Sequence, residues 1–436
     1  MAKRSKVSVI TLGCEKNTVD SERLIHQLRL NNMKYTENPE DADTVIINTC
    51  GFIDAAREQS VNTILEAVQL KELGTVKKVI VAGCLSERYP NELREELPEV
   101  DAIVGTEKYA EILKELGGEL KTELLGERYI STPGSTSYIK ISEGCDNPCS
   151  FCSIPLMRGK HKTKSIEELV QEATFLVKNG GTKELIIIGQ DTTDYGKELY
   201  GERKLAELLR ALSKIEGIEW IRLMYAYPSH FPEDVIDEMA NNPKIVKYLD
   251  IPLQHIVDDV LRSMRRGITK RRTLEVLQSL RDRVPGIAIR TTFIVGYPAE
   301  TEEHFNELCE FVKEFKFDRL GVFTFSVEES TPSFILGDPV SAEEKERRKA
   351  YLMELQQQIS EEQNTGLIGK EMKILIDREE GDYYIGRSYR DAPEVDGEVL
   401  IPKKGNPILT IGDFYIAEII DSTEFDLYAT IKLNSE

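Results

Sequence analysis

The sequence has no hydrophobic run long enough to suggest a membrane segment. Its apolar stretches fall short of the 18 or so residues that a spanning helix needs. The N-terminus is basic, but it leads straight into a strand-like run at residues 7–10, without the apolar core of a secretory signal. We therefore expect a cytoplasmic protein with no membrane partner. Its seven cysteines are accordingly expected to be reduced thiols or metal ligands, not disulfides.

Positive charge is scarce relative to negative charge. The chain has 56 Lys and Arg residues against 76 Asp and Glu residues, a net charge of −20. Because affinity for nucleic acids depends on Lys and Arg that neutralise phosphates, this balance argues against RNA or DNA as the main partner. Two interpretations remain open: an acidic surface that keeps an enzyme soluble, and a surface that binds a basic protein.

Length and composition predict several folded domains. The 436 residues are 40% hydrophobic, which is enough for proper cores, and the chain length suggests about three domains. A stretch that includes Pro133 and Gly134 marks a linker. We predict an N-terminal domain over residues 1–118, a linker over 119–134, a central domain over 135–365 and a C-terminal domain over 366–436.

The first domain alternates strand and helix patterns, which predicts an open parallel α/β sheet. Three cysteines, here called the N-terminal trio (Cys14, Cys50 and Cys84), each follow one of its predicted strands. Since parallel strands end at one edge of a sheet, we expect the trio to converge on a metal centre, although three unrelated buried cysteines remain the alternative. The strands are predicted at 7–13, 43–48 and 78–82, and the helices at 20–30, 55–70 and 91–97. The glycines that would let the backbone approach a bulky centre are Gly13, Gly51 and Gly83.

The central domain shows six strand patterns with helical patterns between them, which predicts a partial (β/α)6 barrel. Catalytic groups in such barrels lie at the C-terminal ends of the strands. The strands are predicted at 137–142, 184–189, 220–227, 248–253, 288–295 and 319–326, and the helices at 165–179, 203–215, 232–241, 269–284 and 302–315. The residues that end or follow these strands are Gln190, Asp191, Tyr225, Tyr227, Gln254, His255 and Gly296. Each polar one is equally consistent with a ligand contact and with a loop contact.

A second group of cysteines, the barrel trio (Cys145, Cys149 and Cys152), follows the first barrel strand at C-x-x-x-C-x-x-C spacing. A zinc site would need four ligands with a second, distant pair, which the sequence does not offer. A fully ligated iron–sulfur cube would need a fourth cysteine. What remains is a cube with one iron free to bind a substrate. The seventh cysteine, Cys309, lies at an apolar position of a predicted helix, and we interpret it as a core residue.

The C-terminal part changes from a charged helix at 341–366 to short alternating strands with turns. Five strands within about 65 residues predict a small antiparallel, OB-like β-barrel. Residues 367–436 carry 15 acidic and 8 basic side chains, a net charge of −7. We therefore expect this barrel to bind a basic protein and not RNA. The strands are predicted at 372–376, 383–388, 397–401, 414–420 and 427–432.

The barrel trio resembles the cysteine motif of the radical S-adenosylmethionine enzymes, and the whole chain resembles the methylthiotransferases among them. The stretches that carry this resemblance are 12–17, 48–53, 83–85, 144–155, 158–159 and 250–255. Residues 189–193, 195–196, 386–388 and 391–397 resemble the branch that modifies a ribosomal protein (RimO type), not the tRNA branch (MiaB type). Glu15 and Ala299 depart from the family pattern, which usually has Pro and Gly there.

The resemblance implies a 4Fe–4S cluster on each trio, with the barrel trio as the catalytic cysteines. It implies two molecules of S-adenosylmethionine per turnover. One methylates a sulfur at the N-terminal trio, and the other is cleaved at the barrel trio to a 5′-deoxyadenosyl radical. The implied target is the β-carbon of an aspartate in the small-subunit ribosomal protein S12. The residues implied to contact S-adenosylmethionine are Phe151, Gln190, Asp191, Gln254, Arg290 and Gly296.

The resemblance also implies partners: an electron donor such as flavodoxin, and a sulfur donor. Two other functions compete with this interpretation. A tRNA adenosine methylthiotransferase would be expected to have a basic C-terminal barrel, which the sequence lacks. A non-catalytic iron–sulfur electron carrier would leave the polar residues at the barrel mouth without a role.

Overall fold

A computed structural model of the chain describes residues 5–124, 126–132 and 135–432. Pro133 and Gly134 of the predicted linker, and the first four residues of the basic N-terminus, lie outside these ranges. The described chain forms a five-stranded sheet, a six-stranded sheet, a two-stranded sheet and a closed barrel, in agreement with the predicted fold class. Within these ranges, every helix is too short or too polar to cross a bilayer. The domain limits at residues 118, 134 and 365 stay predictions.

The N-terminal sheet is parallel, with strand order β2-β1-β3-β4-β5. Helices cover both of its faces, so β3 is buried at every residue, as expected for a parallel sheet. The strands are β1 (Lys6–Thr11), β2 (Lys34–Tyr35), β3 (Thr44–Thr49), β4 (Lys78–Gly83) and β5 (Ala102–Ile103). The helices are α1 (Glu15–Leu30), α2 (Asp54–Glu72), α3 (Cys84–Arg88), α4 (Pro90–Glu96) and α5 (Tyr109–Glu115).

The central sheet is parallel throughout, with order β13-β12-β11-β10-β9-β6, so β6 and β13 are its two edges. Its strands are β6 (Thr136–Lys140), β9 (Glu184–Ile188), β10 (Trp220–Leu223), β11 (Ile245–Asp250), β12 (Ala288–Val295) and β13 (Arg319–Thr324), and a short pair is β7 (Ser142–Glu143) with β8 (Lys162–Thr163). The helices are α6 (Ile154–Arg158), α7 (Ile166–Gly180), α8 (Lys197–Tyr200), α9 (Leu205–Ser213), α10 (Glu233–Asn241), α11 (Asp258–Ser263), α12 (Lys270–Arg283), α13 (Glu302–Phe315) and α14 (Ala342–Thr365).

The largest hydrophobic core lies between this sheet and its helices. Leu169 and Leu209 on the helices pack in it with Ile187 and Leu249 on the strands, and none of the four is exposed. Cys309 belongs to the same core, as predicted from its apolar position on α13. Because all strands of this sheet are parallel, their C-terminal ends form one mouth.

The C-terminal domain is a closed five-stranded barrel with order β14-β15-β16-β18-β17, antiparallel as predicted except that β16 and β18 pair in parallel. Its strands are β14 (Glu371–Glu380), β15 (Tyr383–Arg387), β16 (Val399–Pro402), β17 (Phe414–Ser422) and β18 (Leu427–Ile431). The closed barrel packs against the end of the central sheet at which the strands begin. There the rings of Trp220 and Phe414 are in contact, with centroids 4.7 Å apart. The mouth at the opposite end of the sheet is left to the N-terminal domain.

The loop between β15 and β16 reaches into the partial barrel. Tyr248 donates a hydrogen bond to Asp396 over 2.6 Å, and Arg222 donates one to the carbonyl of Tyr389 over 2.7 Å. This loop contains the stretch 391–397 on which the RimO-type resemblance partly rests. In the structure it binds the C-terminal domain to the central sheet.

The predicted elements agree with the structure in type, and their ends differ where tertiary contacts intervene. Helix α1 begins at Glu15 and not at residue 20, because its first turn carries polar side chains that face the barrel and so break the apolar pattern. Strand β10 ends at Leu223, four residues early, because Tyr225 takes a positive φ of 60°. The side chain of Asp250 accepts the Tyr225 N–H over 3.1 Å and holds this turn.

Candidate active site

The N-terminal trio lies along one edge of the first sheet. Cys14, Cys50 and Cys84 come after β1, β3 and β4, and these three strands are neighbours in the sheet. Neighbouring strands are about 4.8 Å apart, so the thiols can face one common centre. The structure therefore brings the three cysteines together as the strand order requires.

Local backbone geometry sets the position of each thiol in this trio. Cys14 is the N-cap of α1, and its carbonyl accepts the N–H groups of Asn17 and Thr18 at 2.8 and 3.2 Å. Cys50 is held by Ser60, whose hydroxyl accepts the Cys50 N–H at 3.0 Å. A Cβ on Gly13 would lie 2.9 Å from the Cys50 sulfur, so glycine is needed there to admit that side chain.

The barrel trio lies in the segment from β7 to α6 at the mouth of the central sheet. The backbone N–H and side-chain amide of Asn147 both donate to the Cys145 sulfur at 3.4 Å. Asn147 is fixed in turn by the buried carboxylate of Asp191 at 2.6 Å. The Cys149 sulfur accepts from the Arg266 guanidinium at 3.4 Å and lies 3.6 Å from the Tyr227 hydroxyl.

Burial keeps most of these thiols protonated while they hold no metal. It raises the pKa of Cys84 and of Cys145 to about 11 and that of Cys152 to about 12, and it also raises the pKa of Cys50. Because metals bind the thiolate form, loading these sites releases protons.

The sulfurs of neither trio are gathered as tightly as the ligands of a single tetrahedral ion. In tetrahedral zinc sites with bonds of 2.3 Å, the sulfurs lie about 3.8 Å apart. In the part of the chain that the structure describes, only Asp20, Glu107 and Glu143 have ligand atoms all within 4.8 Å of one another, so neither cysteine trio does. The ammonium of Lys140 bonds to all three of those carboxylates, which explains that cluster without a metal.

Arg158 connects the two trios. It ends α6, which begins two residues after Cys152 and is about 8 Å long. Its Nε donates to the Cys84 sulfur over 3.3 Å, and its Nη1 donates to Asp20 over 2.7 Å. The stretch 158–159 carries part of the family resemblance, but no sequence pattern indicated that Arg158 reaches the other cysteine trio.

The expected S-adenosylmethionine contacts fall into two groups. Phe151 packs against the main core, and Gln190, Asp191 and Gln254 lie at the strand ends of the mouth. The side-chain oxygens of Gln190 and Gln254 are buried and, among the described residues, have no hydrogen-bond donor. Such acceptors fit the charged amino group of an incoming ligand, since a buried polar atom without a partner is costly. Asp191, in contrast, is engaged in holding Asn147.

The second group is covered by protein contacts. Arg290 pairs with Asp250 at 3.0 Å and with Asp396 of the C-terminal loop at 3.3 Å. A Cβ on Gly296 would lie 2.3 Å from the side chain of Lys345, so helix α14 covers that glycine. His255, which was also expected at the mouth, is fully buried and bonds to Glu300 at 3.0 Å. In the structure these residues are thus in contact with other parts of the protein, and the contacts of Arg290 and Gly296 with S-adenosylmethionine stay predictions.

A charged group that the sequence did not single out lies between the mouth and the N-terminal trio. The ammonium of Lys16 lies 2.9 Å from the ring centroid of Tyr225, and the Tyr225 hydroxyl donates to Glu15 over 2.8 Å. Burial lowers the pKa of Lys16, and burial together with the charge of Glu15 raises the pKa of Glu394. Lys16 and Tyr225 are 209 positions apart, so only the position of Lys16 next to Cys14 could have drawn attention to it.

Models of three protein families match separate parts of the chain. The model of the Radical SAM superfamily matches residues 139–312, that of the uncharacterized protein family UPF0004 matches residues 6–105, and that of the TRAM domain matches residues 368–431. The matched stretches coincide with the central sheet, the N-terminal sheet and the closed barrel.

Curated relatives match nearly the full length. A protein of Christiangramia forsetii named ribosomal protein uS12 methylthiotransferase RimO is 54% identical over 426 residues, 98% of this chain and 94% of that protein. Its namesake in Chloroherpeton thalassium is 52% identical over 433 residues, 99% of both chains. Another, in Bacteroides thetaiotaomicron, is 48% identical over 433 residues, 98% of this chain and 99% of that one.

Solved structures share the fold at low identity. TsrM of Kitasatospora setae, a radical S-adenosylmethionine methyltransferase determined with cobalamin and a 4Fe–4S cluster, matches with a TM-score of 0.58 and 14% identity over 76% of this chain and 77% of its own. OxsB, a cobalamin-dependent S-adenosylmethionine radical enzyme, matches with a TM-score of 0.52 and 12% identity over 81% of this chain and 56% of its own.

Proposed function

The chain belongs to the RimO family of ribosomal protein uS12 methylthiotransferases, and on that premise we propose that it adds a methylthio group to the β-carbon of an aspartate in uS12. It is a radical S-adenosylmethionine methylthiotransferase. The observation that carries the finer proposal is the pair of cysteine trios joined by Arg158, because the reaction needs a site that makes a radical beside a site that holds sulfur.

We assign one 4Fe–4S cluster to each trio. Soft thiolates suit iron–sulfur clusters, and three cysteines leave one iron of each cube without a protein ligand. When bound, the clusters and two molecules of S-adenosylmethionine supply the electron, the carbon radical, the sulfur and the methyl group that side chains cannot supply. The sulfur reaches the N-terminal trio from a separate sulfur donor.

The residues around the barrel trio orient the cysteines and favour their thiolates. Asn147 donates two hydrogen bonds to the Cys145 sulfur, and Arg266 donates one to that of Cys149. Hydrogen bonds to the charged form stabilise it against the desolvation that burial imposes. The free side-chain oxygens of Gln190 and Gln254 would accept the amino group of S-adenosylmethionine at the mouth.

The N-terminal domain closes the mouth over the reacting groups. Its helix α1 inserts Val19 into the apolar cluster on the inner face of the central sheet, beside Tyr138 and Met224. Closure of this kind keeps solvent out of the site and other hydrogen donors away from the radical. Arg158 ties the two domains together beside the trios, since its guanidinium bonds to Cys84 and to Glu143 of the central domain.

The charge of the chain supports a basic protein substrate over tRNA. The net charge is −20 overall and −7 over residues 367–436. Such a surface attracts a basic protein and repels phosphates. The tRNA adenosine methylthiotransferase stays the alternative function, and a cytoplasmic location follows if the substrate is a ribosomal protein.

One basic surface departs from this acidic background, and we assign it to the electron donor. A cavity of about 360 Å³, here called the basic pocket, is lined by three arginines and one carboxylate: Arg262, Arg265, Arg272 and Asp258. Arg262 pairs with Asp259 and Arg272 with Glu275. Arg266, which follows Arg265 in the sequence, bonds to the Cys149 sulfur. An acidic redox protein such as flavodoxin would therefore dock close to the barrel trio.

Anaerobic reconstitution tests the proposed function. The enzyme is loaded with iron and sulfide and incubated with reductant, S-adenosylmethionine and either uS12 or tRNA. A gain of about 46 Da on one aspartate of uS12 is the expected result, since a methylthio group replaces a hydrogen. The gain on tRNA alone would refute the proposal. A Cys149→Ala variant that still produced 5′-deoxyadenosine would refute the assignment of the barrel trio.

A further inference from the structure

Lys16 is a buried cation without an anionic partner. Only 7% of its surface is exposed, and its ammonium rests on the face of the Tyr225 ring at 2.9 Å from the centroid. Across the described residues, this ammonium makes no hydrogen bond and no ion pair. A buried charge is usually paired, because removing it from water costs several kcal/mol. Lys16 is therefore placed to receive an anion.

The two carboxylates whose charges act on Lys16, Glu15 and Asp250, are engaged elsewhere. Glu15 accepts the hydroxyl of Tyr225 at 2.8 Å. Asp250 accepts Arg290 at 3.0 Å and the backbone N–H of Tyr225 at 3.1 Å. Both groups bring negative charge near Lys16, yet each directs its oxygens to another donor. The three N–H donors of the Lys16 ammonium consequently stay available.

Lys16 lies beside the N-terminal trio and faces the barrel mouth. It lies two residues after Cys14, in the first turn of α1, and it contacts Tyr225, which follows β10 at the barrel mouth. The N-terminus of this 16-residue helix carries partial positive charge, which adds to the attraction for an anion. An anion bound here would lie where the proposed transfer takes place.

We propose that Lys16 binds the side-chain carboxylate of the target aspartate. This inference rests on the proposed function and names the part of the substrate that the mouth recognises. The carbon that is modified is bonded directly to the carboxylate carbon. A salt bridge to that carboxylate therefore fixes the β-carbon at the barrel mouth. A glutamate would place its γ-carbon there, and an asparagine would lack the charge.

A double-mutant cycle on the reconstituted holoenzyme tests this inference. Lys16→Met keeps the length of the side chain and removes the charge, and uS12 is used with its modified aspartate intact or changed to Asn. We expect Lys16→Met to weaken binding of the Asp form by about 10- to 100-fold, as for other charge-assisted hydrogen bonds, and to leave binding of the Asn form unchanged. Lys16→Arg, which keeps the charge, should restore most of the affinity for the Asp form.

The matched control is Lys77→Met. Lys77 precedes β4 at the opposite edge of the same sheet, its side chain is 73% exposed, and it pairs with Asp43 at 2.7 Å. This variant should bind both forms of uS12 as the unaltered enzyme does. Iron content and the electron paramagnetic resonance spectrum of each variant report on the clusters independently of substrate.

The outcomes separate the inference from the proposed function. If the unaltered enzyme methylthiolates uS12 but Lys16→Met weakens both forms of uS12 equally, or neither, the inference is refuted alone. A loss of iron or a changed spectrum in Lys16→Met, without selective loss of the Asp form, would show that Lys16 serves the N-terminal cluster instead. If the unaltered enzyme does not modify uS12, the proposed function and the inference fall together.

Discussion

Single residues around each trio have separable tasks. Asn147 contacts only the barrel trio, through the Cys145 sulfur, whereas Ser60 holds Cys50 of the N-terminal trio. Arg158 bonds to Cys84 of the N-terminal trio and to Glu143, which lies two residues before Cys145 of the barrel trio. Removing a group that orients a metal ligand typically lowers the affinity of the site for its metal by about 10- to 100-fold. Each trio can therefore be weakened without direct damage to the other.

We expect Asn147→Ala to lower the affinity of the barrel trio for its cluster by about 10- to 100-fold, because the Cys145 thiolate loses a donor and its loop loses the tie to Asp191. Ser60→Ala should do the same to the N-terminal trio. Iron content is measured for both variants in two backgrounds. In one, the cysteines of the N-terminal trio are changed to alanine, and in the other, those of the barrel trio are changed. Equal losses in both backgrounds would contradict the separation.

At the scale of elements, the ends of parallel strands place the chemistry. Strands β1, β3 and β4 are adjacent, so residues 36 and 34 positions apart in sequence become neighbours at one sheet edge. The turn after β1 needs a positive φ of 92° at Gly13, and the adjacent strand presents Cys50 directly against it. The close packing of strand ends thus restricts which residues can stand beside the cysteines.

Gly13→Ala is expected to reduce iron bound by the N-terminal trio and to destabilise the fold by more than about 1 kcal/mol, because an added Cβ meets the Cys50 side chain at 2.7 Å. Gly74→Ala is the matched control. Gly74 has a similar φ of 78°, but an added Cβ there meets nothing within 4 Å, so only the backbone cost of about 1 kcal/mol applies. Iron analysis and urea unfolding measure both effects. Equal iron content in the two variants would argue against crowding.

At the scale of the whole molecule, buried ion pairs join the domains. Glu172 on α7 of the central domain binds Arg23 on α1 of the N-terminal domain at 2.8 Å, and neither is more than 6% exposed at its side chain. Arg222 and Arg387 both bind the fully buried Glu184, which ties the C-terminal barrel to the central sheet. These contacts hold the N-terminal domain over the mouth and the closed barrel beneath it.

Replacing Glu172 should make the stability depend less on pH. Burial alone would raise its pKa, but Arg23, Lys164 and Arg128 together lower it to about 2. A carboxyl whose folded pKa is below its unfolded value of about 4.3 contributes stability above that value, and the contribution is lost as pH falls towards 2. Glu172→Gln should therefore cost about 3 kcal/mol at pH 7 and progressively less below pH 4.5.

Urea unfolding of the unaltered chain and the variant between pH 2.5 and 7 measures this difference. Glu168→Gln is the control on the same helix, because Glu168 is exposed and its carboxylate, among the described residues, bonds only to Ser165 in the N-terminal cap. A cost for Glu172→Gln that stayed constant across this pH range would contradict the interpretation.

The charge distribution of the whole chain predicts where electrons enter. Reversing two charges of the basic pocket, Arg265→Glu with Arg272→Glu, should slow reduction of the barrel cluster by an acidic flavodoxin about tenfold or more at low salt, since steered association depends on complementary charge. Reduction by dithionite, a small reductant, should be unchanged. Arg378→Glu on the C-terminal barrel is the control. If the pocket instead contacts ribosomal RNA, flavodoxin kinetics will be unaffected and ribosome binding will weaken.

The sequence by itself determined the fold class, the main strands and helices, and the position of both cysteine trios relative to strand ends; short elements such as β2, β5, α5 and α11 were not predicted. Hydrophobic periodicity and turn residues are local signals, and parallel strands share one direction, so these features need no knowledge of distant contacts. Element ends were less predictable where a side chain from another domain intervenes, as at the first turn of α1 and at Tyr225.

Only the tertiary structure decided which polar residues face the mouth. Gln190 and Gln254 keep buried oxygens without donors among the described residues, whereas Arg290 and Gly296 are covered by Asp396 and Lys345. No local pattern distinguishes these outcomes, because the covering residues come from segments that lie 49 to 106 positions later in the chain. The same holds for Lys16: its neighbours in sequence indicate a cysteine site, but its unpaired charge is evident only once Tyr225, from the far side of the mouth, is placed over it.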